Sequence, residues 1–209
     1  MSTLKQLREA IEHQKGSDST QVATTSGTYE KAANKHLVSH AKDGDKYLDY
    51  GAGLGQGTEA MKKAFHDGGK KVSVESYEPS TRSKTFKPTH KSSDSIHPNS
   101  YAGVQSHNVL NVLHPKLRTQ VTHHMLSLPK VGGHVVVSTR KWKGDVNSAK
   151  NASPAPDEHK ALLVHKKGGD VYQRGFDGDE LLHHMKSHDT SSSYHFERHG
   201  DTVVGKRIK

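Results

Sequence analysis

A strand that ends in alternating glycines constrains the fold of this chain more than any other feature of its sequence. Residues 47–57 read YLDYGAGLGQG: large side chains surround Asp49, and glycine then recurs at every second position from Gly51 to Gly57. In an open α/β sheet, a turn of this kind joins the carboxyl end of a buried strand to a helix, and its glycines let the backbone approach a ligand closely. A tight turn without a ligand is the alternative, but one glycine would be enough for it. The stretch therefore predicts a ligand-binding strand–turn–helix unit.

The sequence on both sides of this turn predicts alternating strands and helices. Apolar residues recur at helical spacing in some segments, and in the segments between them at strand spacing or in continuous runs. The predicted helices cover residues 4–13, 28–42, 58–69, 114–133 and 176–188; the predicted strands cover 46–51, 71–79, a faint third strand at 92–96, the start of 101–113, 134–142 and a hairpin over 194–208. Residues 143–160 are polar and predict a long loop or lid. The alternation predicts a single-domain α/β protein with an open, mostly parallel sheet, helices on both faces and a C-terminal antiparallel hairpin.

The composition narrows the class of protein further. The chain has 209 residues, of which 30% are hydrophobic, so we expect one domain with a modest core. It contains no cysteine, which excludes disulfide scaffolds, thiolate metal sites and cysteine nucleophiles. No stretch is long and apolar enough to predict a signal peptide or a membrane span, so we expect a cytoplasmic protein without a membrane partner. The formal net charge of +9 favours polyanionic partners such as nucleic acid.

The spacing of the glycines distinguishes between two classes of ligand. The dinucleotide fingerprint G-x-G-x-x-G fails here, because its last position falls on Gln56 or Thr58. The letters DYGAGLG instead read D-x-G-x-G-x-G, which resembles the first motif of the class I, Rossmann-like methyltransferases that use S-adenosylmethionine (SAM). The resemblance implies that Asp49 lies near the methionine moiety of SAM and that the turn formed by Gly51, Gly53 and Gly55 passes under the cofactor.

The same resemblance assigns roles to residues after the later strands. It implies that Glu78, at the end of the second strand, binds the ribose hydroxyls, and that Asp94 and Ser95 face the adenine. The letters NVLNV after the fourth strand resemble a sub-group of bacterial and phage methyltransferases, and imply that Asn108 lies at the cofactor and catalytic site while Asn111 lines the following turn. The similarity covers about residues 28–208, so residues 1–27 are expected to form a separate N-terminal helix and mobile connection.

The fourth-strand motif departs from one branch of this family. DNA amino-methyltransferases carry Pro-Pro and an aromatic residue there to hold a flipped base, and this chain has HNVLN instead. The absence of cysteine also excludes cytosine-C5 chemistry, which needs a thiolate. The resemblance therefore implies methyl transfer to an acceptor that it leaves open. Nucleic acid is the first candidate, since Trp142 lies between basic residues in RKWK and could stack on a base.

Two alternatives to a methyltransferase remain open at this stage. One is a protein that binds or consumes SAM without transferring a methyl group, such as a cofactor sink or an inhibitor. The other is a non-enzymatic basic module that binds nucleic acid. His107 and Tyr29 are possible proton acceptors, although surface or core roles suit both residues as well.

The 18 histidines raise the question of a metal site. Ligand pairs on one helix need a spacing of three or four residues, and the pairs His36/His40, His184/His188 and His195/His199 have it. A zinc site requires a third ligand, and no sequence pattern provides one. The sequence therefore predicts no metal site.

Overall fold

A computed structural model describes residues 29–80, 83–166 and 169–209 of the chain. The predicted helix over 4–13, the predicted connection that follows it and the predicted boundary at residue 27 lie outside the described residues. The helices are α1 (Tyr29–His40), α2 (Gln56–Asp67), α3 (Pro115–Ser127) and α4 (Gly178–His188). The strands are β1 (Lys46–Tyr50), β2 (Ser73–Tyr77), β3 (Tyr101–His107), β4 (Pro129–Ser138), β5 (Ala152–Pro154), β6 (Ala161–Lys166), β7 (Gly169–Arg174), β8 (Tyr194–His199) and β9 (Thr202–Arg207).

Six of these strands form one sheet in the order β2-β1-β3-β4-β9-β8. The first four run parallel, whereas β9 pairs antiparallel with both β4 and β8. This arrangement confirms the predicted fold class, an open and mostly parallel α/β sheet that ends in an antiparallel hairpin. Parallel strands meet at the same edge with their carboxyl ends, so the turns after β1, β2, β3 and β4 lie side by side.

Both faces of the sheet are covered because the strands present alternate side chains to two cores. Tyr47 of β1 points to the face where α1 and α2 pack, and its ring lies 4.3 Å from that of Phe65 on α2. The neighbouring residue, Leu48, points to the opposite core, which α3 and α4 line with Met125 and Met185. Burial on both faces explains the continuous apolar runs in the central strands.

The structure corrects the predicted third strand. Residues Ser93–Ser95 form a 3₁₀ helix, and the strand-like pairing nearest to it is a single bridge between Tyr77 and His90. The side chain of Ser92 caps this short helix by accepting a hydrogen bond from the backbone N–H of Asp94. Serine side chains that bond to the local backbone in this way compete with a strand ladder, and this competition explains the error.

Two further element boundaries differ from the prediction. The helix predicted over 114–133 ends at Ser127, because Pro129 cannot continue it and begins β4. The loop predicted over 143–160 contains β5, which pairs with β6; β6 also pairs with β7, and the three strands form a separate antiparallel sheet. We call this element the small sheet. None of the described helices is long and apolar enough to cross a membrane.

Glu158, in the loop between β5 and β6, attaches the small sheet to the rest of the domain. Its two carboxylate oxygens accept hydrogen bonds of 2.7 Å from the guanidinium of Arg118 on α3, and Oε1 also accepts one of 2.9 Å from Arg174. The hydroxyl of Tyr172 donates to the same carboxylate. Burial opposes ionisation of Glu158, but the hydrogen bonds from Arg118 and Tyr172 outweigh it and hold its pKa at about 2.

Replacing Glu158 with alanine is expected to lower the free energy of unfolding by about 3 kcal/mol, because Arg118 is left buried without its counter-charge. Denaturant titration measures the loss, and limited proteolysis should show faster cleavage within 143–160. The adjacent Asp157→Ala is the control, since Asp157 is half-exposed and its one ion-pair contact among the described residues is a weak one, 3.4 Å from His114. Equal stability of the two variants would contradict the anchoring role of Glu158.

Candidate functional site

The turn between β1 and α2 holds three glycines in the left-handed region, each for a different reason. Gly51, Gly53 and Gly55 have φ angles of 83°, 55° and 89°. A Cβ atom at Gly51 would overlap the side chain of Val109, and one at Gly55 would overlap the ring of Phe86. At Gly53 a Cβ atom would meet no described atom within 4 Å. The turn is therefore packed at both ends and open in its middle.

Asp49 supports this turn from below. It is only 4% exposed, and the hydroxyl of Thr58 in the first turn of α2 donates to its Oδ2 at 2.7 Å. The side-chain amide of Gln105 on β3 donates to Oδ1 at 3.2 Å. Burial raises the pKa of Asp49, and these two hydrogen bonds partly oppose the rise. Asp49 thus connects β1 to α2 and to β3 through these hydrogen bonds. Its closeness to the methionine moiety stays a prediction.

Glu78 lies directly after β2 and reaches the middle of the glycine turn. Its Oε2 accepts a hydrogen bond from the backbone N–H of Gly53 at 2.9 Å, and its Oε1 accepts one from Ser80 at 3.0 Å. Each carboxylate oxygen has a further lone pair for a ligand hydroxyl. The helix α2 begins here with Gly55 as its N-cap. Because glycine has no side chain, no side-chain hydrogen bond caps the first N–H groups of the helix. An acid, a glycine backbone and a helix N-terminus thus meet at one point.

The 3₁₀ helix that replaces the third strand lies beside Glu78. The backbone N–H of Glu78 donates to the carbonyl of His90 at 3.1 Å, which holds the segment 90–95 next to the turn. Asp94 is exposed, whereas the hydroxyl of Ser95 donates to the carbonyl of Ser92 at 2.7 Å. Both residues therefore lie on a segment attached to Glu78, and contact of their side chains with adenine stays a prediction.

Asn108 and His107 lie where β3 ends. Asn108 has a left-handed φ of 58°, and its backbone N–H donates to the carbonyl of Ser138 at the end of β4 at 2.9 Å. His107 Nδ1 lies 2.6 Å from the hydroxyl of Ser138, while its Nε2 is buried and has no hydrogen-bond partner among the described residues. Burial lowers the pKa of His107 to about 4, so its imidazole is neutral at pH 7.

The small sheet contacts the turn that follows Asn108. Asn111, predicted to line this turn, is fully buried in a 3₁₀ helix over Leu110–Val112, and its side-chain amide lies 3.4 Å from Oε1 of Gln173 on β7. Residues near the glycine turn that the sequence did not single out are Val109, Phe86 and Gln105. Each belongs to an element far from the turn in sequence, and no spacing rule connects it to the glycines.

The basic segment around Trp142 is largely neutralised by acids. Arg140 donates hydrogen bonds to Asp145, and Lys141 forms an ion pair of 2.7 Å with Asp201. Trp142 is half-buried and lines a surface cavity of about 590 Å³. Other residues that line this cavity include Pro154, Ala155, Pro156, His159 and Leu162.

The three predicted histidine pairs have different surroundings. Nε2 of His184 lies 3.0 Å from the hydroxyl of Thr122, and Nε2 of His188 lies 3.1 Å from that of Thr119. His195 and His199 flank the carboxylate of Glu197. The pair His36/His40, by contrast, meets a third imidazole, that of His134 on β4. The structure thus supplies the third histidine that the sequence pattern could not identify.

Comparisons with known proteins identify structural neighbours but no sequence relatives. No family model matches the chain, and no curated protein matches its sequence. A Burkholderia thailandensis 1,6-didemethyltoxoflavin-N1-methyltransferase, solved with bound 1,6-didemethyltoxoflavin and S-adenosylhomocysteine, is similar with a TM-score of 0.60 and 11% identity; the match covers 100% of this chain and 92% of that one.

Two further solved structures are similar to the same degree. A sugar N-methyltransferase from a Streptoalloteichus species has a TM-score of 0.57 and 13% identity, with 97% of this chain and 93% of that one covered. A SAM-dependent methyltransferase from Clostridium acetobutylicum has a TM-score of 0.57 and 11% identity, with 97% and 98% covered. The chain therefore has the Rossmann-like α/β fold that is also found in SAM-dependent methyltransferases.

Proposed function

We propose that the protein is a SAM-dependent methyltransferase. The observation that carries this proposal is the position of Glu78, whose carboxylate holds the backbone of Gly53 at the open middle of the glycine turn. A carboxylate at the end of the second strand is suited to bind two vicinal hydroxyls, and a glycine turn without side chains lets a bulky nucleoside approach the backbone. The structural neighbours, among them one with bound S-adenosylhomocysteine, support the same cofactor.

The residues present fit this cofactor. Glu78 would bind the ribose hydroxyls, Gly51, Gly53 and Gly55 would pass under the cofactor, and Asp94 and Ser95 would face the adenine. When bound, SAM supplies a methyl group that its sulfonium centre already activates, so the protein mainly has to align the acceptor and exclude water. Asp49 contributes by fixing the turn through Thr58 and Gln105, as described above.

The end of β3 is the proposed place for the acceptor. Asn108 offers a side-chain amide there, with a donor and an acceptor for orienting a substrate. His107, beside Asn108, stays neutral at pH 7 because burial disfavours its protonated form. The small sheet contacts the turn after Asn108 and would help to exclude water from the acceptor.

We propose two classes of acceptor, which the structure supports in different ways. The net charge of +9 supports a nucleic acid, although Arg140 and Lys141 are paired with acids. The cavity beside Trp142 has the size of a small-molecule pocket, and two of the structural neighbours are named for small acceptors, 1,6-didemethyltoxoflavin and a sugar. No described feature favours SAM consumption without transfer.

The test is incubation with SAM labelled in its methyl group, together with mixed DNA, RNA and small amine or hydroxyl acceptors. Label in a macromolecule supports a nucleic-acid acceptor, and label in a small product supports a small-molecule acceptor. Loss of SAM without a labelled acceptor would instead favour SAM consumption. Calorimetry that finds no S-adenosylhomocysteine binding but tight nucleic-acid binding would contradict the proposal and favour the binding module.

Gly53→Ala is expected to weaken S-adenosylhomocysteine binding at least about tenfold, because the added methyl group enters the open middle of the turn. The left-handed φ alone costs about 1–2 kcal/mol of stability. The matched control is Gly69→Ala at the other end of α2, which has a similar φ of 66° and no atom within 4 Å of an added Cβ. Calorimetry measures the affinity of both variants for S-adenosylhomocysteine. A loss of affinity in Gly53→Ala alone is due to the methyl group that occupies the cofactor's place, whereas backbone strain affects both variants. Equal affinities would mean that the cofactor does not pass over Gly53.

A further inference from the structure

Three imidazoles meet on the face of the sheet that α1 covers. His36 and His40 lie one turn apart on α1, and His134 lies on β4. Their ring centroids are 4.5 to 4.9 Å apart, and one ring nitrogen of each lies within 4.8 Å of those of the other two. We call this group the histidine cluster. In the described part of the chain it is the one group of three or more such residues close enough to hold a metal ion.

The packing of α1 fixes this arrangement. Leu37, between the two helical histidines, lies directly over Gly103 of β3, where a side chain larger than hydrogen would collide with it. Gly103 is the residue that pairs with His134 in the parallel register of β3 and β4. Gly103 therefore lets α1 approach the sheet beside His134. The packing of Leu37 in the core thus determines the positions of the three imidazoles.

The ring nitrogens of the cluster are available to a ligand. His36 Nε2 is buried and has no hydrogen-bond partner among the described residues. His40 Nδ1 lies 2.9 Å from the carbonyl oxygen of His36, a contact of the kind that orients metal-bound imidazoles and leaves Nε2 for the metal. In the pair His184/His188, by contrast, Nε2 of each ring already lies within hydrogen-bonding distance of a threonine hydroxyl.

Two of the three imidazoles in the cluster have lowered pKa values. Burial lowers the pKa of His36, and the neighbouring His40 lowers it further. Burial likewise lowers the pKa of His134 to about 4, with Lys206 on β9 acting in the same direction. Glu197 on β8 is the acid that favours positive charge here, whereas Lys206 and His199 oppose it. Only a neutral imidazole has a lone pair for a metal ion.

We propose that His36, His40 and His134 bind a divalent transition-metal ion, with Zn²⁺ as the ion that three imidazoles and one water suit best. A tetrahedral site needs Zn–N distances of about 2.0–2.1 Å, and hence nitrogens roughly 3.3 Å apart, so the rings must close by up to about 1.5 Å. The ion would attach α1 to β4. It would act apart from methyl transfer, because His134 precedes Ser138 by four residues, a strand length of about 13 Å.

The test uses the full-length protein without a purification tag, stripped of metal with a chelator and then titrated with Zn²⁺ by calorimetry. Co²⁺, which gives visible absorption in a tetrahedral nitrogen site, is the spectroscopic probe. We expect one high-affinity ion per chain, a raised melting temperature and a Co²⁺ spectrum. His40→Ala should weaken affinity by more than the roughly 10- to 100-fold typical of losing an outer-shell partner. His40 is exposed, so this variant should fold; His134→Gln is the second variant and should have the same effect.

The matched control is His188→Ala, which removes one histidine from another helical pair at the same spacing. It should bind Zn²⁺ and Co²⁺ as the unaltered protein does. The proposal is overturned if the unaltered protein binds no stoichiometric ion, or if His40→Ala and His134→Gln retain its affinity and its Co²⁺ spectrum. Binding that His188→Ala weakens as much as His40→Ala would also overturn it, since the ion would then be held by dispersed surface histidines.

Discussion

Glu78→Ala is expected to lower the affinity for S-adenosylhomocysteine at least about 100-fold, or roughly 3 kcal/mol. The proposed role of Glu78 is to accept hydrogen bonds from both ribose hydroxyls, and hydrogen bonds to a charged group contribute about 1.5–3 kcal/mol each. The variant also releases the backbone N–H of Gly53, which donates to Glu78 at 2.9 Å, so the turn loses part of its support. The measurement is calorimetry with S-adenosylhomocysteine, with circular dichroism to confirm the fold.

Glu59→Ala is the control for this experiment. Glu59 is an exposed acid in the first turn of α2, and its carboxylate pairs with Lys62 at 2.9 Å. Its removal changes the local charge by the same amount as Glu78→Ala but takes away no proposed cofactor contact. Affinity should therefore stay close to that of the unaltered protein. If Glu78→Ala binds as tightly as Glu59→Ala, the cofactor lies elsewhere and the proposed site is wrong.

The protein is expected to lose about 5 kcal/mol of unfolding free energy between pH 7 and pH 5. Burial lowers the pKa of His107 and of His124 to about 4, and burial with the nearby His188 lowers that of His184 to about 3. Unfolded histidine has a pKa near 6.5, so the unfolded chain binds more protons than the folded chain across this range. The free energy of unfolding therefore decreases as the pH is lowered from 7 to 5. Asp49, whose pKa burial raises, acts in the opposite direction.

Denaturant titrations at several pH values measure this loss. A typical domain has about 5–15 kcal/mol of stability, so the expected change brings acid unfolding to a mildly acidic pH. His184→Gln keeps a polar side chain near Thr122 and should reduce the slope of stability against pH by about one proton, roughly 1.4 kcal/mol per pH unit. The exposed His66→Gln is its control. A flat profile between pH 7 and pH 5 would show that these imidazoles become protonated without unfolding.

Local patterns predicted the central sheet and the glycine turn well, because both depend on residues close together in sequence. The run from Val135 to Val137 is buried on both faces, and it has no polar interruption to obscure its period. The small sheet escaped prediction because its first strand, β5, has only three residues within a polar segment, and because the position of the sheet depends on contacts such as that of Glu158 with Arg118. The prediction of a third strand was wrong for a local reason, because the side chain of Ser92 caps a 3₁₀ helix there.

Some residues of the candidate site could likewise be predicted from the sequence, and others could not. The family resemblance pointed to Glu78, which lies beside the turn because it follows β2, the strand that pairs with β1. The packing of Phe86 and Val109 against the glycines depends on how separate segments meet, which a single sequence does not encode in any spacing. His134 illustrates the same limit, because its nearness to His36 and His40 exists only after α1 has packed over Gly103.

The 3₁₀ helix that stands in place of the predicted third strand leaves β2 at one border of the sheet. Within the described residues, β2 becomes an outer strand of five residues whose Glu75 is bonded to Lys46, His90 and Tyr101. The opposite border, β8, carries outward charged and imidazole side chains. Short borders with charged groups resist the docking of a second chain, a known protection against sheet extension and aggregation. We therefore expect that shortening the sheet also helps to keep neighbouring copies apart.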